Sequence, residues 1–308
     1  MSGPFGSSHW MYSSGADFYS HSIDQSLRFE DGDTAYLYRT PSSSGNRDTW
    51  TISMWVKRGN ISERAKLFAA GSSLASNHDD SFYMWFQSDD TLRIRNESGG
   101  SYYTRMDTTR VFRDVSAWYH IVYVYDSSQS TSTDRQKLYV NGVQETSFDE
   151  TTYPSLNQDS QVNGTDVHRI GASTTSDTFD GYMAEVNFVD GSALTPSSFG
   201  ETKAGIWVPK DTSGLTFGTN GFRLKFQDSS ALGDDTSGNG NDFTATGLAS
   251  TDVVLDSPTN NFCTLNPLDG NSPSNSYIKQ GNLLIGDYVS TDAARTVGGT
   301  MAMRSGKW

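Results

Sequence analysis

The sequence contains almost no cysteine and no long apolar run. Cys263 is the single cysteine among 308 residues, which excludes an intrachain disulfide, and no cluster of cysteine and histidine offers a zinc site. No stretch approaches the ~18 consecutive apolar residues of a membrane-spanning helix, and the opening residues 1–8 lack the cationic start and apolar run of a secretory signal. We therefore predict a water-soluble protein that is not inserted into a membrane.

Positive charge is also scarce. Lysine and arginine number 23 against 36 acidic residues, which gives a formal net charge of -13. Such a charge repels phosphate backbones and anionic headgroups. We therefore expect that the protein does not bind nucleic acid in a general way.

Aliphatic residues are few, but aromatic residues are not. The hydrophobic set is only 34% of the chain, yet it includes 7 Trp, 15 Tyr and 16 Phe. Disordered chains are poor in large rings. The composition thus predicts a folded protein with a ring-rich core and long polar loops.

Short aromatic or β-branched runs recur between clusters of Ser, Thr, Asn, Asp and Gly, a pattern typical of strands. Asn141-Gly142 follows one such run and predicts a two-residue hairpin turn. No sustained helical periodicity is present, so the sequence predicts an all-β fold, an antiparallel β-sandwich. The runs that carry this prediction are 26–29, 50–56, 82–86, 92–94, 118–125, 137–140 and 222–226.

Composition shifts divide the chain into four parts. Residues 1–25 form an extended N-terminal arm with several aromatic rings, and residues 26–210 form the sandwich. Residues 211–270 are rich in Gly, Asn, Asp and Thr and form either a loop-rich extension of the sandwich or a second small β unit. Residues 271–308 end abruptly on apolar Trp308, which predicts a linker and the start of a further β domain.

Four motifs follow one another along about residues 26–200. They are Ser26–Phe29 and Tyr36–Leu37 with the strand at 50–58, Trp118–Val122 with Asp126, Leu138–Gly142, and Ile170–Gly171 and Phe179–Val186 with Ala193–Pro196. In this order they resemble the laminin G-like branch of the concanavalin A-like lectin/glucanase family, whose sandwich is a jelly roll. One departure from the family pattern is Ala184, which stands where an acidic residue commonly precedes the family's glutamate.

The aromatic arm precedes the sandwich, and residues 205–210 follow it. This arrangement resembles bacteriophage tail-fibre and other virion-surface proteins, and residues 305–308 resemble the first strand of a SPRY domain. The resemblance implies a virion structural protein, a tail fibre or appendage adhesin, that assembles in the host cytoplasm and attaches to the host surface. A capsid-surface decoration protein, a secreted carbohydrate-binding module and a glycan hydrolase are the alternatives.

The same resemblance implies partners. The arm would dock on other tail or capsid proteins, and the sandwich would face a host glycan. We also expect a homo-oligomer, of which a trimer is one arrangement. The docking residues are predicted to be Phe5, Trp10, Met11 and Tyr12.

Catalytic residues are not predicted. Glycosidases need two carboxyl groups about 5–5.5 Å or 6.5–9.5 Å apart. Glu185 is the single acid inside a predicted strand run and lacks an acidic neighbour two or four positions away. We therefore expect a protein that is not an enzyme, in which Glu185 is a structural acid bonded to a neighbour.

Two ligand sites are predicted. Sugar binding combines exposed rings with hydrogen-bonding side chains, which points to Tyr102 and Tyr103 with Asp79 and Asp80. No cofactor is required by the sequence, but calcium is a candidate because oxygen-bearing side chains alternate before a glycine, as in the first half of a calcium loop. A plain Asx/Gly turn is the alternative for that loop. Its candidate ligands are Asp235, Ser237, Asn239 and Asn241.

Overall fold

The computed structural model describes residues 18–72, 74, 80–174, 177–269, 278–285 and 297–301. In this part of the chain strands dominate, and no helix has the length and apolar character to cross a bilayer. The strands are β1 (Ser26–Phe29), β2 (Tyr36–Arg39), β3 (Thr49–Arg58), β4 (Ala65–Gly71), β5 (Ser81–Phe86), β6 (Thr91–Ser98), β7 (Ser101–Val111), β8 (Tyr119–Asp126), β9 (Gln136–Val140), β10 (Val143–Gln144), β11 (Phe148–Thr152), β12 (His168–Ile170), β13 (Gly181–Asp190), β14 (Gly200–Lys203), β15 (Ile206–Pro209), β16 (Phe222–Leu224), β17 (Thr244–Thr246), β18 (Val253–Val254), β19 (Ile278–Lys279) and β20 (Leu284–Ile285). Short 3-10 helices occupy Asp31–Asp33, Ser132–Asp134, Pro196–Ser198 and Ser250–Asp252.

The strands form two large antiparallel sheets. The first sheet has the order β10-β9-β8-β3-β13-β1-β18, and β16 also pairs with β13. The second sheet has the order β11-β7-β6-β5-β4-β12-β2-β17. Two hairpins, β14–β15 and β19–β20, lie outside these sheets. The predicted all-β antiparallel sandwich is confirmed.

Alternation along the strands decides which side chains enter the core between the sheets. On β3, Trp50, Ile52 and Met54 belong to the main core cluster, whereas Trp55 belongs to a separate cluster on the other face. On β8, Tyr123 pairs with Ile52 and packs into the same main core, whereas Val122 does not. The central strands are therefore apolar on both faces, as the 118–125 run predicts.

Aromatic rings fill the middle of the main core. The ring of Trp50 is surrounded by four others at centroid distances of 5.5 to 5.7 Å, and its Nε1 donates to Ser160 Oγ at 2.9 Å. Such ring pairs contribute about 0.5–1.5 kcal/mol each beyond the burial of their area. The ring-rich core predicted from composition is present. The four rings belong to Phe82, Tyr123, Tyr125 and Phe188.

The outer face of the first sheet is covered by chain that follows β13. Phe199 and Phe217 pack on the outward side chains of β8 and β13, and Trp207 of β15 packs beside Trp55. This covering layer explains why β8 is apolar on both faces, because its outward residues are also removed from water.

Beyond residue 210 the chain adds strands to both sheets. β16 pairs with β13, β17 pairs with β2 at an edge of the second sheet, and β18 pairs with β1 at an edge of the first. Phe243 contributes a buried ring to the main core. These segments therefore share the core of the sandwich.

Candidate functional site

A recess lined by three tryptophans lies on the outer face of the first sheet. Trp55 comes from β3, Trp118 from the residue before β8, and Trp207 from β15. The recess has a volume of about 430 Å³. Small-ligand sites are concave and combine apolar rings with a few polar groups, and this recess combines three tryptophan rings with an amide and a hydroxyl. We call this recess the tryptophan pocket. Its lining residues are Trp55, Trp118, Asn141, Val143, Thr202, Gly205, Ile206 and Trp207.

His120 connects two of the tryptophans. Its ring stacks on Trp55 with a centroid distance of 4.6 Å and on Trp207 at 5.9 Å. Trp207 Nε1 donates to His120 Nδ1 at 2.9 Å, and His120 Nε2 lies 2.8 Å from Ser53 Oγ. Because Nδ1 is an acceptor, the neutral ring carries its proton on Nε2 and donates it to Ser53. Burial lowers the pKa of His120 to about 3, so the ring is uncharged at neutral pH.

Two glycines make room for the Trp207 ring. A Cβ atom at Gly142 would lie 2.4 Å from that ring, and one at Gly200 would lie 2.5 Å from it. Gly142 also has a positive φ of 79°, as Asn141 before it has one of 49°, which is the hairpin turn predicted from the sequence. The Asn-Gly turn therefore reverses the chain and also leaves space for the Trp207 ring.

Neutral side chains form the rim of the tryptophan pocket. Val143 is 65% exposed and Ile206 is 57% exposed. Asn141 and Thr202 add an amide and a hydroxyl, and the Asn141 Oδ1 atom accepts from the backbone N of His120 at 2.7 Å. None of the eight lining residues is charged. The pocket is therefore suited to an uncharged ligand with apolar faces and hydroxyl groups.

The structure separates the two tyrosines predicted to bind glycan. Tyr102, on β7, is 45% exposed on the outer face of the second sheet, and its ring lies 5.3 Å from the Arg105 guanidinium carbon. The half-buried Tyr103 donates through its hydroxyl to Asn96 Oδ1 at 3.3 Å, and burial raises the pKa of that hydroxyl. Of this pair, Tyr102 is therefore the ring that a sugar could reach.

Asp80 lies near the same hairpin. Its Oδ1 atom accepts from Ser98 Oγ at 2.5 Å, which brings it to the end of β6 that turns into β7. Asp79 lies outside the described residues. Glycan binding by Tyr102, Tyr103, Asp79 and Asp80 stays a prediction.

The loop predicted to bind calcium is closed by its own hydrogen bonds. Asp235 Oδ1 accepts from the backbone N of Arg223 and of Ser237, both at 2.9 Å. Asp235 Oδ2 accepts from Ser237 Oγ and from the backbone N of Asn241, both at 2.8 Å. Asn239 donates to the carbonyl oxygens of Gly218 and Gly221. These contacts account for the loop conformation as an Asx/Gly turn, and calcium binding at Asp235, Ser237, Asn239 and Asn241 stays a prediction.

Glu185 is a buried acid in a β-bulge of β13. The register shifts between Ala184 and Asn187, and Glu185 itself has a φ of +45°. Its carboxylate lies 3.4 Å from Arg223 Nε and accepts from Thr212 Oγ1 at 3.5 Å. These contacts match the expected role of a structural acid. The predicted docking residues Phe5, Trp10, Met11 and Tyr12 lie outside the described residues, as does Trp308.

Trp55, Trp118 and His120 lie in runs that the sequence predicts as strands, and nothing in those runs indicates a pocket. The signal that separates them is parity. Trp55 stands an odd number of positions from the inward Trp50 on the same strand, so it points to the opposite face. Trp207 of β15 covers that face, and no local sequence pattern predicts that β15 lies there.

The sequence of the sandwich matches a known protein family. The family model of the concanavalin A-like lectin/glucanases superfamily matches residues 31–198. A comparison with curated proteins gives no match.

Three solved structures are among those to which the chain is similar. A heptameric SAP-like pentraxin from Limulus polyphemus is 17% identical over 56% of this chain and 78% of its own, with a TM-score of 0.41. A Bacteroides ovatus protein to which carbohydrate binding is ascribed is 17% identical over 77% of this chain and 62% of its own, with a TM-score of 0.48, so the chain spans less than two thirds of that protein. The CBM40 of the Ruminococcus gnavus IT-sialidase, bound to α2,3-sialyllactose, is 16% identical over 53% of this chain and 91% of its own, with a TM-score of 0.35.

The family match covers more than half of the 308 residues and coincides with the sandwich built from β2 to β13. The chain belongs to the concanavalin A-like lectin/glucanase superfamily.

Proposed function

We propose that this protein is a non-enzymatic glycan-binding protein and that the tryptophan pocket holds one sugar unit. The observation that carries the proposal is the grouping of three tryptophan rings with an amide and a hydroxyl around about 430 Å³. Sugar rings have apolar C–H faces that pack on aromatic rings, while their hydroxyl groups need hydrogen-bond partners. Asn141 and Thr202 at the rim would supply those partners.

The pocket is proposed to bind without cleaving. Hydrolysis of a glycosidic bond needs two carboxyl groups on either side of it. The eight residues that line the pocket include no Asp or Glu. Glu185, a buried acid of β13, is paired with Arg223 and is not among these eight residues.

A glycan array with the whole chain tests the proposal, followed by calorimetric titration of the best-bound glycan. Trp207→Ala removes a ring from the pocket, and Val143→Trp fills its entrance while leaving Trp207 in place. We expect each change to weaken binding at least about tenfold, equivalent to about 1.4 kcal/mol.

Tyr102→Ala is the matched control, because it removes an exposed ring from the other sheet. We expect this variant to bind within about twofold of the wild type, a difference well under 1.4 kcal/mol. An array without any bound glycan would contradict the proposal. So would loss of binding in Tyr102→Ala with normal binding in Val143→Trp, which would place the site at the residues predicted from the sequence.

We further propose that the glycan is a host-surface receptor and that the protein is a bacteriophage virion component, a tail fibre or appendage adhesin assembled in the host cytoplasm. The resemblance of the aromatic arm and of residues 205–210 to virion-surface proteins supports this setting. The described end of the arm contacts β14 beside the pocket: Ser20 Oγ donates to Glu201, and the Phe18 ring lies 5.8 Å from Lys203 Nζ. The arm would dock on other virion proteins, with a homo-oligomer as the assembled form.

Deleting residues 1–17 tests this setting. We expect particles made with the shortened protein to lack it, because the rings at Phe5, Trp10, Met11 and Tyr12 would no longer dock. Ile23, which is buried against Trp55, remains in the shortened protein. The urea midpoint of the shortened protein should therefore equal that of the full chain. Protein content of purified particles is the measurement, and Trp207→Ala is the control that should be incorporated normally. Normal incorporation of the shortened chain would refute docking through the arm, and the location of labelled protein on particles would separate a tail fibre from a capsid decoration.

A further inference from the structure

Three carboxylates meet at one end of the sandwich, away from the loop at Asp235. Glu30 follows β1, Asp31 begins the next 3-10 helix, and Asp180 immediately precedes β13. One oxygen atom from each side chain lies within 4.8 Å of the others. The antiparallel pairing of β1 with β13 brings them together, since Phe29 is opposite Gly181.

Asp180 is the unusual member of this group. It is 2% exposed, and among the residues that the structure describes neither of its carboxylate oxygens has a hydrogen-bond partner. Its Oδ1 atom lies against the backbone of Gly59, where a Cβ atom would be only 1.7 Å away. A buried carboxylate without donors is costly, because native proteins almost always pair such groups.

Its neighbours increase the cost instead of relieving it. Glu30 is 6% exposed, and Asp31 is exposed. Within the described ranges, no lysine or arginine forms an ion pair with any of the three carboxylates. A cation is the partner that this arrangement lacks.

We propose that Glu30, Asp31 and Asp180 form a binding site for a divalent cation, and that the cation is calcium. The three donors are carboxylate oxygens, which suit hard cations, whereas zinc and copper sites draw on histidine and cysteine. Calcium takes 6–8 oxygen ligands in flexible geometry, and the exposed Asp31 side leaves access for water to complete the shell.

The site would also hold a distant segment of the chain. Glu30 accepts from the backbone N of Gln280, between β19 and β20. The same hairpin accepts a hydrogen bond from the Tyr182 hydroxyl at the Gly281 carbonyl, at 2.6 Å, and its own Asn282 donates through the side-chain amide to the Gly59 carbonyl at 3.0 Å. A cation that neutralises Glu30 and Asp180 would therefore fasten β1, β13 and the β19–β20 hairpin to one another.

Calorimetric titration of the chelator-treated full chain with CaCl2 tests the proposal, together with thermal unfolding in EDTA and in CaCl2. We expect one calcium site and a Tm that is about 5 °C or more higher at saturating calcium. Asp180→Asn should lose both effects, and in EDTA it should be at least as stable as the wild type, because it removes one of three crowded negative charges. Asp31→Asn changes an exposed residue and should also lose most of the calcium effect.

Asp33→Asn is the matched control, since Asp33 is exposed in the same 3-10 helix but does not belong to the group. This variant should keep the calcium response. No heat and no Tm shift with CaCl2 would overturn the proposal. A response retained in both Asp180→Asn and Asp31→Asn but lost in Asp235→Asn would also overturn it, in favour of the loop predicted from the sequence.

Discussion

Replacing Asp90 by asparagine should destabilise the protein by about 3 kcal/mol, because it leaves a buried guanidinium without its counter-charge. Asp90 and Arg58 are both fully buried, and Arg58 Nη1 donates to Asp90 Oδ1 at 2.9 Å. Asp90 also accepts from Arg113 Nε at 2.7 Å and from the backbone N of Ser62 at 2.6 Å. Burial lowers the pKa of Arg58, and Asp90 acts in the opposite direction by stabilising its charge. Asparagine keeps the shape and tolerates the φ of +68° at this position, so the loss reports on the charge.

Urea unfolding measures this effect, and a double variant isolates it. Arg58→Met together with Asp90→Asn removes the stranded charge and keeps an apolar side chain over Phe86, on which the guanidinium packs at 4.5 Å. We expect the double variant to recover much of the lost stability, because replacing a buried pair by apolar groups is often neutral. Asp89→Ala, which loses the bonds to Thr91, should cost no more than about 1–2 kcal/mol. A single Asp90→Asn variant as stable as the wild type would contradict the prediction.

The fold could be predicted largely because its strong strands carry local signals. β3 and β8 are rich in aromatic and β-branched residues, and the Asn141-Gly142 turn fixes the hairpin that follows. β4 is different, because Ala65–Gly71 contains three alanines and a glycine and gives no such signal. β12 has three residues, and its existence depends on pairing with both β2 and β4. Strands defined by distant partners cannot be located from local pattern.

The ligand-binding residues were harder to predict for the same reason. A tyrosine beside a Ser-Gly turn, such as Tyr102, can be recognised as exposed from the sequence, and the structure shows that it is exposed at the start of β7. Trp207 reaches His120 across 87 residues of sequence, and the contact depends on a hairpin that folds over the first sheet. Asp180 lies far along the chain from Glu30 and meets it through the β1–β13 pairing. Parity along a strand can show which side chains leave the core, but the partner that meets them outside the core comes from tertiary structure.

Acidification from pH 7 to pH 5 should lower the free energy of unfolding by roughly 4 kcal/mol through two buried histidines, about 2 kcal/mol from each. Burial lowers the pKa of His120 to about 3 and that of His168 to about 4, against about 6.5 in the unfolded chain. Between those values the unfolded chain binds more protons than the folded one. Stability is therefore fully present above pH 6.5 and is lost as the pH falls toward 4 and then 3.

The surroundings of the two rings explain why neither is stabilised in its charged form. His120 is bounded by Ser53, Trp55, Trp207 and Phe199, all uncharged. His168 accepts from the backbone N of Asn163 at 2.9 Å and lies near Arg39, whose charge further lowers its pKa, although its contact with the Asp166 carbonyl acts in the opposite direction. Protonation of His120 at Nδ1 would also remove the acceptor of the Trp207 Nε1 proton. Acid should therefore disturb the tryptophan pocket along with the fold.

Urea midpoints at pH 7, 6 and 5 measure the loss, and the ring ¹⁵N shifts of His120 report its protonation directly. We expect the neutral Nε2–H form to persist to pH 4 for as long as the chain stays folded. His120→Gln retains an acceptor for Trp207 but loses the ring that stacks on Trp55, so it should be less stable than the wild type at pH 7. Because glutamine cannot titrate, the variant should lose about 2 kcal/mol less between pH 7 and pH 5. An unchanged pH dependence in this variant, or a His120 ring that protonates near pH 6 in the folded protein, would mean that the ring is not held neutral by burial. In that case the hydrogen bond from Trp207 Nε1 to His120 Nδ1 would not be what orients the Trp207 ring in the pocket.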